Sequence, residues 1–228
     1  MKVVYTGLES SGKTLLLAKK AKELLARNVR WFKKYGFKRV LYTNIKFSDA
    51  LIQKYPGYIS YFNQYKDLIT LTGVDILWDE ISSDFSALKK EPLPRSINRW
   101  LRQGAKRGVH IYATAQEFHD IHLDFRRRVF SAYTVKKVVG SGRGGDNLPP
   151  IKTIWGLCVA RQLQINPYNE LQPEYIGLIG GISSIFLIEK SDCLVFDTHQ
   201  FLAESEEIPL EHTERKCLKC NKTFVYHR

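Results

Sequence analysis

Residues 7–14 read Gly7-Leu8-Glu9-Ser10-Ser11-Gly12-Lys13-Thr14, which matches G-x-x-x-x-G-K-[ST] at every fixed position. The apolar run Val3-Val4-Tyr5 predicts a strand before this stretch, and the leucine- and alanine-rich residues 15–26 predict a helix after it. In this context loop N–H groups and the positive end of the helix surround a phosphate chain. The sequence therefore predicts a nucleoside triphosphate site at the first turn of the fold.

Several positions of this loop have an expected task. Lys13 is expected to reach the β- and γ-phosphates, and Thr14 to place its hydroxyl on Mg²⁺. The other loop residues assigned to the phosphate chain are Gly7, Ser10, Ser11 and Gly12. A glycine-rich turn that matches by accident is the alternative, and the flanking strand and helix argue against it. ATP and Mg²⁺ are the expected cofactors.

Composition describes a folded, strongly basic protein. The chain has 228 residues, 44% of them hydrophobic, and 35 Lys and Arg against 23 Asp and Glu give a net charge of +12. This length suits one α/β domain with a small appendage, and the composition excludes a disordered or collagen-like chain. The positive charge attracts polyanions, either nucleic acid or anionic lipid, although a general solubilising charge is the alternative.

The order of predicted elements indicates a mostly parallel α/β sheet flanked by helices. Later strands are expected at 39–45, 73–80, 109–114, 130–135, 153–160 and 193–196, with a basic helix-like run within 92–106. Alternating strands and helices with a nucleotide loop at the first turn favour parallel pairing. We expect an ATPase domain over 1–200 with its motif core in 1–137, a glycine- and proline-rich loop at 140–150, and a tail over 201–228.

The acidic pair Asp79-Glu80 ends the apolar strand expected at 73–80. In ATPases with such a loop, an acid at the end of a buried strand holds Mg²⁺, which we assign to Asp79. An adjoining glutamate can take the proton of the attacking water, which we assign to Glu80. The alternative is that both acids only cap a following helix.

Gln116 follows the strand expected at 109–114 and is a candidate to sense the γ-phosphate or position the water. A solvent-facing loop amide is the alternative, and Thr114 is a weaker candidate for the same task. The transition state also needs an arginine, for which we choose Arg107, acting in trans if the protein forms rings. Arg102 and the run 126–128 are the other candidates, and all of them equally suit a nucleic-acid channel or a solvated helix face.

The C-terminal residues predict either a zinc knuckle or a free thiol pair. The spacing is His212-x4-Cys217-x2-Cys220-x6-His227, and two cysteines with two histidines are a complete tetrahedral ligand set. One Cys-x2-Cys pair is only half of a strong zinc signature.

The expected location is the cytoplasm, because a phosphate loop at residue 7 leaves no room for a signal sequence. The apolar stretch 176–188 is short for a bilayer span and favours buried core, while peripheral membrane association stays open.

The motif segments also resemble a known family. Residues 7–14, the strand Tyr42-Thr43-Asn44-Ile45, the run Ile76-Leu77-Trp78-Asp79-Glu80 and residues 107–116 resemble the zonular occludens toxin domain. That domain belongs to the filamentous-phage assembly ATPases, within the FtsK–HerA group of DNA-pumping motors. Similarity covers about residues 1–137. Thr114-Ala115-Gln116 departs from the usual Thr-Gln of that group, and family members usually carry a membrane span after the ATPase domain.

The resemblance implies a RecA/FtsK-like sheet and a viral or phage ATPase that works in DNA packaging, translocation or virion assembly and extrusion. It implies DNA as a partner, with single-stranded DNA as the first expectation. It also implies a ring formed with further copies of the chain, and a virion or capsid protein as another partner. In a viral setting the cytoplasm is that of the host. The alternatives are a nucleotide-gated nucleic-acid-binding scaffold and a small-molecule P-loop kinase, which needs no catalytic glutamate.

Basic and aromatic residues interleave in residues 30–35 and again in 95–107. Such interleaving suits phosphate contacts combined with base stacking. An amphipathic helix whose aromatic rings face the core is an equally good interpretation.

Overall fold

The structure is a computed structural model, and the residues it describes are 1–8, 11–89, 91–140, 155–164, 174–175, 183–189, 192, 195, 212–216 and 223–227. The chain divides into two compact units, Met1–Asp197 and Thr198–Arg228. The predicted division after residue 200 stays a prediction. The predicted loop at 140–150, beyond Gly140, and most of the strand expected at 193–196 lie outside the described residues.

The first unit contains nine strands and five α-helices among its described residues. The strands are β1 (Lys2–Thr6), β2 (Leu41–Thr43), β3 (Ile59–Tyr61), β4 (Asp75–Trp78), β5 (His110–Thr114), β6 (Ser131–Gly140), β7 (Trp155–Gln164), β8 (Glu174–Tyr175) and β9 (Ser183–Glu189). The helices are α1 (Lys13–Tyr35), α2 (Asp49–Lys54), α3 (Ile81–Asp84), α4 (Arg95–Gln103) and α5 (Leu123–Arg126). Two 3₁₀ turns cover Tyr65–Leu68 and Phe118–Asp120.

Six strands form a parallel sheet in the order β3-β2-β4-β5-β1-β6. Strand β5 lies between the strand that precedes the glycine-rich loop, β1, and the strand that precedes the acidic pair, β4. Strand β7 then pairs antiparallel with β6, and both β8 and β9 pair antiparallel with β7. The predicted α/β class with a mostly parallel sheet is confirmed.

Helix α1 packs on the sheet through leucine and alanine side chains that recur every three or four residues, the period of a helix face. Leu17 and Leu25 are fully buried in one core cluster, and each contributes about 2 kcal/mol by leaving water. The helix begins after Gly12 and ends at Gly36, whose N–H bonds to the carbonyl of Phe32. Both glycines have a left-handed backbone, which glycine adopts without a Cβ penalty.

The opposite face of the sheet is covered by a second, aromatic-rich cluster. Its largest side chains with no more than 2% exposure are those of Trp78, Phe85, Trp100 and Phe125. Trp100 belongs to the basic segment 95–107, so its ring faces the core as the amphipathic interpretation of that segment predicts. Residues of α3, α4 and α5 all belong to this cluster, which holds the three helices on one face of the sheet.

Strand β3 was not predicted from the sequence. Its segment is polar and tyrosine-rich, and the strand has only three residues, none of them buried, at the edge of the sheet. An edge strand needs no apolar run, because its outer backbone groups and parts of its side chains stay in contact with water. Pairing with β2 is therefore decided by the tertiary structure.

A buried ion cluster stabilises the amino-terminal edge of the sheet. Asp75 is fully buried at the start of β4, 2.6 Å from Arg27 Nη2, 2.9 Å from Arg39 Nε and 3.2 Å from His110 Nδ1. Burial by itself raises the pKa of Asp75, but the hydrogen bonds of His110 and Arg39, the Arg39 charge and the Asn28 amide outweigh it. The pKa of this carboxyl is thereby held well below its usual range.

The second unit contains an antiparallel hairpin of β10 (His212–Lys216) and β11 (Thr223–His227). His212 pairs with His227 at one end of the ladder, and Lys216 pairs with Thr223 at the other. Four residues of strand separate these ends by about 13 Å. This spacing does not favour one tetrahedral zinc site built from His212, His227 and the cysteines at 217 and 220.

Zinc therefore has no support in the structure. Cys217 and Cys220 lie outside the described residues, and no group of three or more His, Cys, Asp or Glu is placed to hold a metal within the part that is described.

Within the described ranges, no helix is both long and apolar enough to cross a bilayer. Of the apolar stretch 176–188, residues 183–188 belong to β9, and residues 176–182 lie outside the described residues.

Candidate nucleotide site

The loop between β1 and α1 requires glycine at two of its positions. Gly7 has a φ of +147°, and a Cβ built there comes within 2.5 Å of the Val135 carbonyl oxygen. Gly12 has a φ of +94° and immediately precedes the helix. A side chain at either position strains the backbone, so both glycines of the motif have a local physical reason. Glu9 and Ser10 lie outside the described residues.

Lys13 occupies the inside of its own loop. Its ammonium donates to the carbonyl oxygens of Gly7 at 2.5 Å and Leu8 at 2.9 Å, and the residue is only 7% exposed. These two carbonyls hold a buried positive charge, which a phosphate oxygen satisfies better because charged acceptors form stronger hydrogen bonds. The structure therefore places the Lys13 ammonium inside the loop, and its contact with phosphate stays a prediction.

Asp79 follows β4 and receives two hydroxyl hydrogen bonds. Thr14 donates to its Oδ2 at 3.4 Å from the start of α1, and Thr114 donates to its Oδ1 at 2.5 Å from the end of β5. Burial raises the pKa of the Asp79 carboxyl, while both hydroxyls and the charge of Lys13 oppose that rise. A half-buried carboxylate beside a threonine hydroxyl is the hard oxygen donor set that Mg²⁺ prefers, so these residues fit the predicted metal.

Asn44 positions Asp79, a role that the sequence did not reveal. Its Nδ2 donates to the Asp79 carbonyl and its Oδ1 accepts the Asp79 N–H, both at 2.8 Å. Asn44 follows β2, which is the parallel neighbour of β4. Parallel strands end at the same edge of a sheet, so a polar residue directly after a second strand was the available signal.

Glu80 is the one described non-glycine residue with positive φ (φ 53°, ψ 53°). Its N–H donates to Thr114 Oγ1 at 2.9 Å, so one hydroxyl contacts both members of the acidic pair. A left-handed conformation costs a non-glycine residue about 1 kcal/mol or more and persists only where the surroundings impose it. Glu80 is exposed and lines a cavity of 570 Å³.

Gln116 lines the same cavity as Glu80. Its carbonyl oxygen accepts the Gly7 N–H at 2.9 Å, which joins the loop after β5 to the first residue of the phosphate loop. The structure therefore brings the segments of Lys13, Thr14, Asp79, Glu80 and Gln116 to one edge of the sheet. Their chemical roles stay predictions.

Arg107 is not part of this edge. It precedes β5, at the amino-terminal edge of the sheet, and its Nη1 donates to the Ile69 carbonyl at 2.8 Å. It makes no contact with its own phosphate loop in the described structure, so only its predicted action in trans remains. Nearer the cavity, Arg126 Nη1 lies 2.9 Å from the Nδ1 of His119, a residue of the cavity wall.

The fold can be compared with known proteins. No protein-family model matches the chain, and no curated protein matches it in sequence. The crystal structure of the N-terminal domain of zonular occludens toxin from Neisseria meningitidis is similar to it, with a TM-score of 0.54 and 18% identity over 86% of this chain and 98% of that chain. The protein has a P-loop NTPase fold.

Two further solved structures are similar to the chain at lower scores. The flagellar accessory protein FlaH from Methanocaldococcus jannaschii has a TM-score of 0.43 and 16% identity, over 81% of this chain and 89% of that one. The genome packaging NTPase of Sulfolobus turreted icosahedral virus 2, in complex with ATP-gammaS, has a TM-score of 0.38 and 14% identity, over 58% of this chain and 73% of that one. Scores this low add nothing to the assignment of the P-loop NTPase fold, which rests on the toxin domain and the loop.

Proposed function

We propose that the protein is a Mg²⁺-dependent ATPase, a motor of the viral or phage type that acts on DNA in packaging, translocation or virion assembly. The observation that supports this best is the strained backbone of Glu80, beside Asp79 and at the wall of a cavity shared with Gln116. A surface acid that only caps a helix has no need of a left-handed backbone.

The binding part of the mechanism belongs to the loop. Backbone N–H groups and the start of α1 hold the phosphates, and Lys13 exchanges the carbonyls of Gly7 and Leu8 for phosphate oxygens. Thr14 and Asp79 would hold Mg²⁺, which neutralises charge on the phosphate oxygens. Asn44 keeps the backbone of Asp79 in register with the loop.

The proton-transfer part belongs to Glu80. Its carboxylate would accept the proton of the attacking water. This role requires the backbone of Glu80 to be held in place so that the carboxylate stays within hydrogen-bond reach of the water. Thr114 holds the backbone of Glu80 in place by accepting a hydrogen bond from its N–H. Gln116 would orient the water from the neighbouring strand end.

The positive charge supports a polyanion as the substrate that is moved. A net charge of +12 attracts nucleic acid from a distance, and of the arginines at 126–128, Arg126 contacts His119 of the cavity wall. The resemblance of residues 1–137 to DNA-pumping motors favours DNA over RNA.

ATP hydrolysis, measured with Mg²⁺ and with or without single- or double-stranded DNA, tests this proposal. Glu80→Gln keeps the size of the side chain but removes the base, so we expect turnover to fall by about a hundredfold or more while ATP still binds. The matched control is Glu23→Gln, an exposed acid on α1 that pairs with Lys20 and does not line the cavity. We expect the control to hydrolyse ATP at the wild-type rate.

The outcomes separate the three candidate functions. Turnover that DNA stimulates and that Glu80→Gln abolishes supports the motor. ATP binding without turnover under any DNA condition contradicts it and favours the scaffold. Turnover that survives Glu80→Gln and requires a small acceptor molecule favours the kinase.

A further inference from the structure

The apolar stripe of α1 continues beyond the part of the helix that is buried. The buried residues Leu24, Leu25 and Asn28 are followed at the same spacing of three and four by Trp31, Phe32 and Tyr35. All nine residues from 30 to 38 are exposed, and we call this segment the α1 tip. Its rings are uncovered to a large extent: Trp31 is 45% exposed, Phe32 44%, Tyr35 62% and Phe37 51%.

The α1 tip has an unusually one-sided charge. Residues 24–48 contain seven Lys and Arg and no Asp or Glu. Of these cations, Arg27 and Arg39 pair with buried Asp75, and Lys46 lies beyond the tip. The tip itself exposes four cations: Arg30, Lys33, Lys34 and Lys38. A second copy of a chain with a net charge of +12 is a poor match, because like charges oppose each other. The complementary surface is anionic and accepts apolar side chains.

The arrangement of the rings distinguishes between two anionic surfaces, a nucleic acid and a lipid bilayer. Cations of the chain itself lie over ring faces: Arg27 over Trp31 at 6.0 Å, Lys34 over Tyr35 at 5.0 Å and Lys38 over Tyr58 at 5.1 Å. The rings also meet edge to face, Trp31 with Tyr35 and Phe32 with Tyr58. Base stacking needs open ring faces. A compact aromatic cluster surrounded by long cationic side chains instead suits the interface of a bilayer.

We propose that the α1 tip docks on an anionic lipid bilayer. The exposed rings enter the headgroup region, and the four exposed cations contact lipid phosphates. At 1.5 Å per residue, the α1 tip begins about 26 Å along the helix axis from the phosphate loop, and the helix ends about 34 Å from that loop. A docked protein therefore keeps its nucleotide site accessible.

Vesicle binding by the full chain tests the proposal. The vesicles contain equal parts phosphatidylglycerol and phosphatidylcholine, and vesicles of phosphatidylcholine alone are the comparison. The double variant Trp31→Ala/Phe32→Ala keeps every charge, and we expect it to bind the anionic vesicles about tenfold more weakly or worse. The control is Phe130→Ala, which removes a ring that is 76% exposed next to the arginines at 126–128. We expect this control to bind like the wild type.

Trp31 also reports insertion by its fluorescence. Trp78 and Trp100 are buried, at 0% and 2% exposure. The difference between the wild type and Trp31→Phe isolates the Trp31 signal, since this substitution keeps an aromatic ring. We expect this signal to shift to shorter wavelength on anionic vesicles and to be quenched by brominated lipid chains. Unchanged ATP binding by each variant verifies that it is folded.

Two results would overturn the proposal. Equal vesicle binding by the wild type and the double variant, with no change in Trp31 emission, reduces the interaction to a general attraction between a basic protein and anions. A Trp31 response to single-stranded DNA, with none to anionic vesicles, assigns the α1 tip to nucleic acid instead.

Discussion

The hydroxyl of Thr114 donates a hydrogen bond to Oδ1 of Asp79 over 2.5 Å, from the strand that separates β1 from β4. The Thr114 hydroxyl oxygen also accepts a hydrogen bond from the N–H of Glu80, at 2.9 Å. One side chain thus orients the expected metal ligand and the expected base together. The third strand end at this edge adds Asn44, which holds the backbone of Asp79.

Thr114→Val tests this arrangement, because valine has nearly the same shape but neither donates nor accepts. We expect ATP hydrolysis to fall about 10- to 100-fold, as for other residues that orient metal ligands, while ATP binding is retained. The control is Thr134→Val on β6, whose hydroxyl lies 3.4 Å from that of Thr6 and does not contact the acidic pair. Equal turnover by both variants would remove Thr114 from the mechanism.

Glu80→Gly is expected to increase stability while it abolishes hydrolysis. Glycine adopts the φ of +53° without the penalty that a side chain carries, so the free energy of unfolding should rise by up to about 1 kcal/mol. Glu80→Ala is the matched variant, which loses the base and keeps the strain. Chemical denaturation of the three proteins checks the order, and a Gly variant no more stable than the Ala variant contradicts strain at this position.

Gly7→Ala and Gly36→Ala compare two glycines with positive φ. At Gly7 a Cβ meets the Val135 carbonyl at 2.5 Å, whereas at Gly36 a Cβ meets nothing within 4 Å. Both variants should lose about 1 kcal/mol of stability from the backbone. Only Gly7→Ala should also lose ATP binding, since its loop must move; calorimetric titration with ATP measures this. Retained ATP binding by Gly7→Ala would mean that the loop tolerates the shift.

Asp75 makes stability depend on acid pH. Its folded pKa lies well below the unfolded one, so its contribution is complete above the unfolded pKa of about 4. This contribution is lost as pH falls from there towards the folded pKa, because the unfolded chain binds the proton first.

Asp75→Asn leaves Arg39 buried without its anion, so it should cost about 3–5 kcal/mol at neutral pH and flatten the acid side of the stability curve. Urea unfolding between pH 3 and 7 measures both effects. Asp49→Asn, on α2, is the surface control, and an Asp75→Asn curve parallel to the wild type would assign the acid sensitivity elsewhere.

Much of the candidate nucleotide site could be located from the sequence because its signals are local. The phosphate loop needs glycines at two backbone positions and a Lys-Thr pair at a helix start, and these needs appear within eight consecutive residues. Apolar runs that end in Asp79-Glu80 and precede Gln116 likewise identify buried strands and their exposed ends. The parallel α/β fold followed from the alternation of such runs with helices.

The tertiary structure alone decided which strands are neighbours, and therefore which polar residues meet. The contacts of Asn44 and Thr114 with the acidic pair, the ion cluster around Asp75 and the place of Arg107 at the opposite edge all depend on strand order. Exposure of Trp31 and Phe32 has the same origin. Their spacing is that of a buried helix face. They are exposed because nothing in the described structure covers this last part of α1. Sequence periodicity reports the side of a helix on which a residue lies, whereas long-range packing determines whether anything covers it.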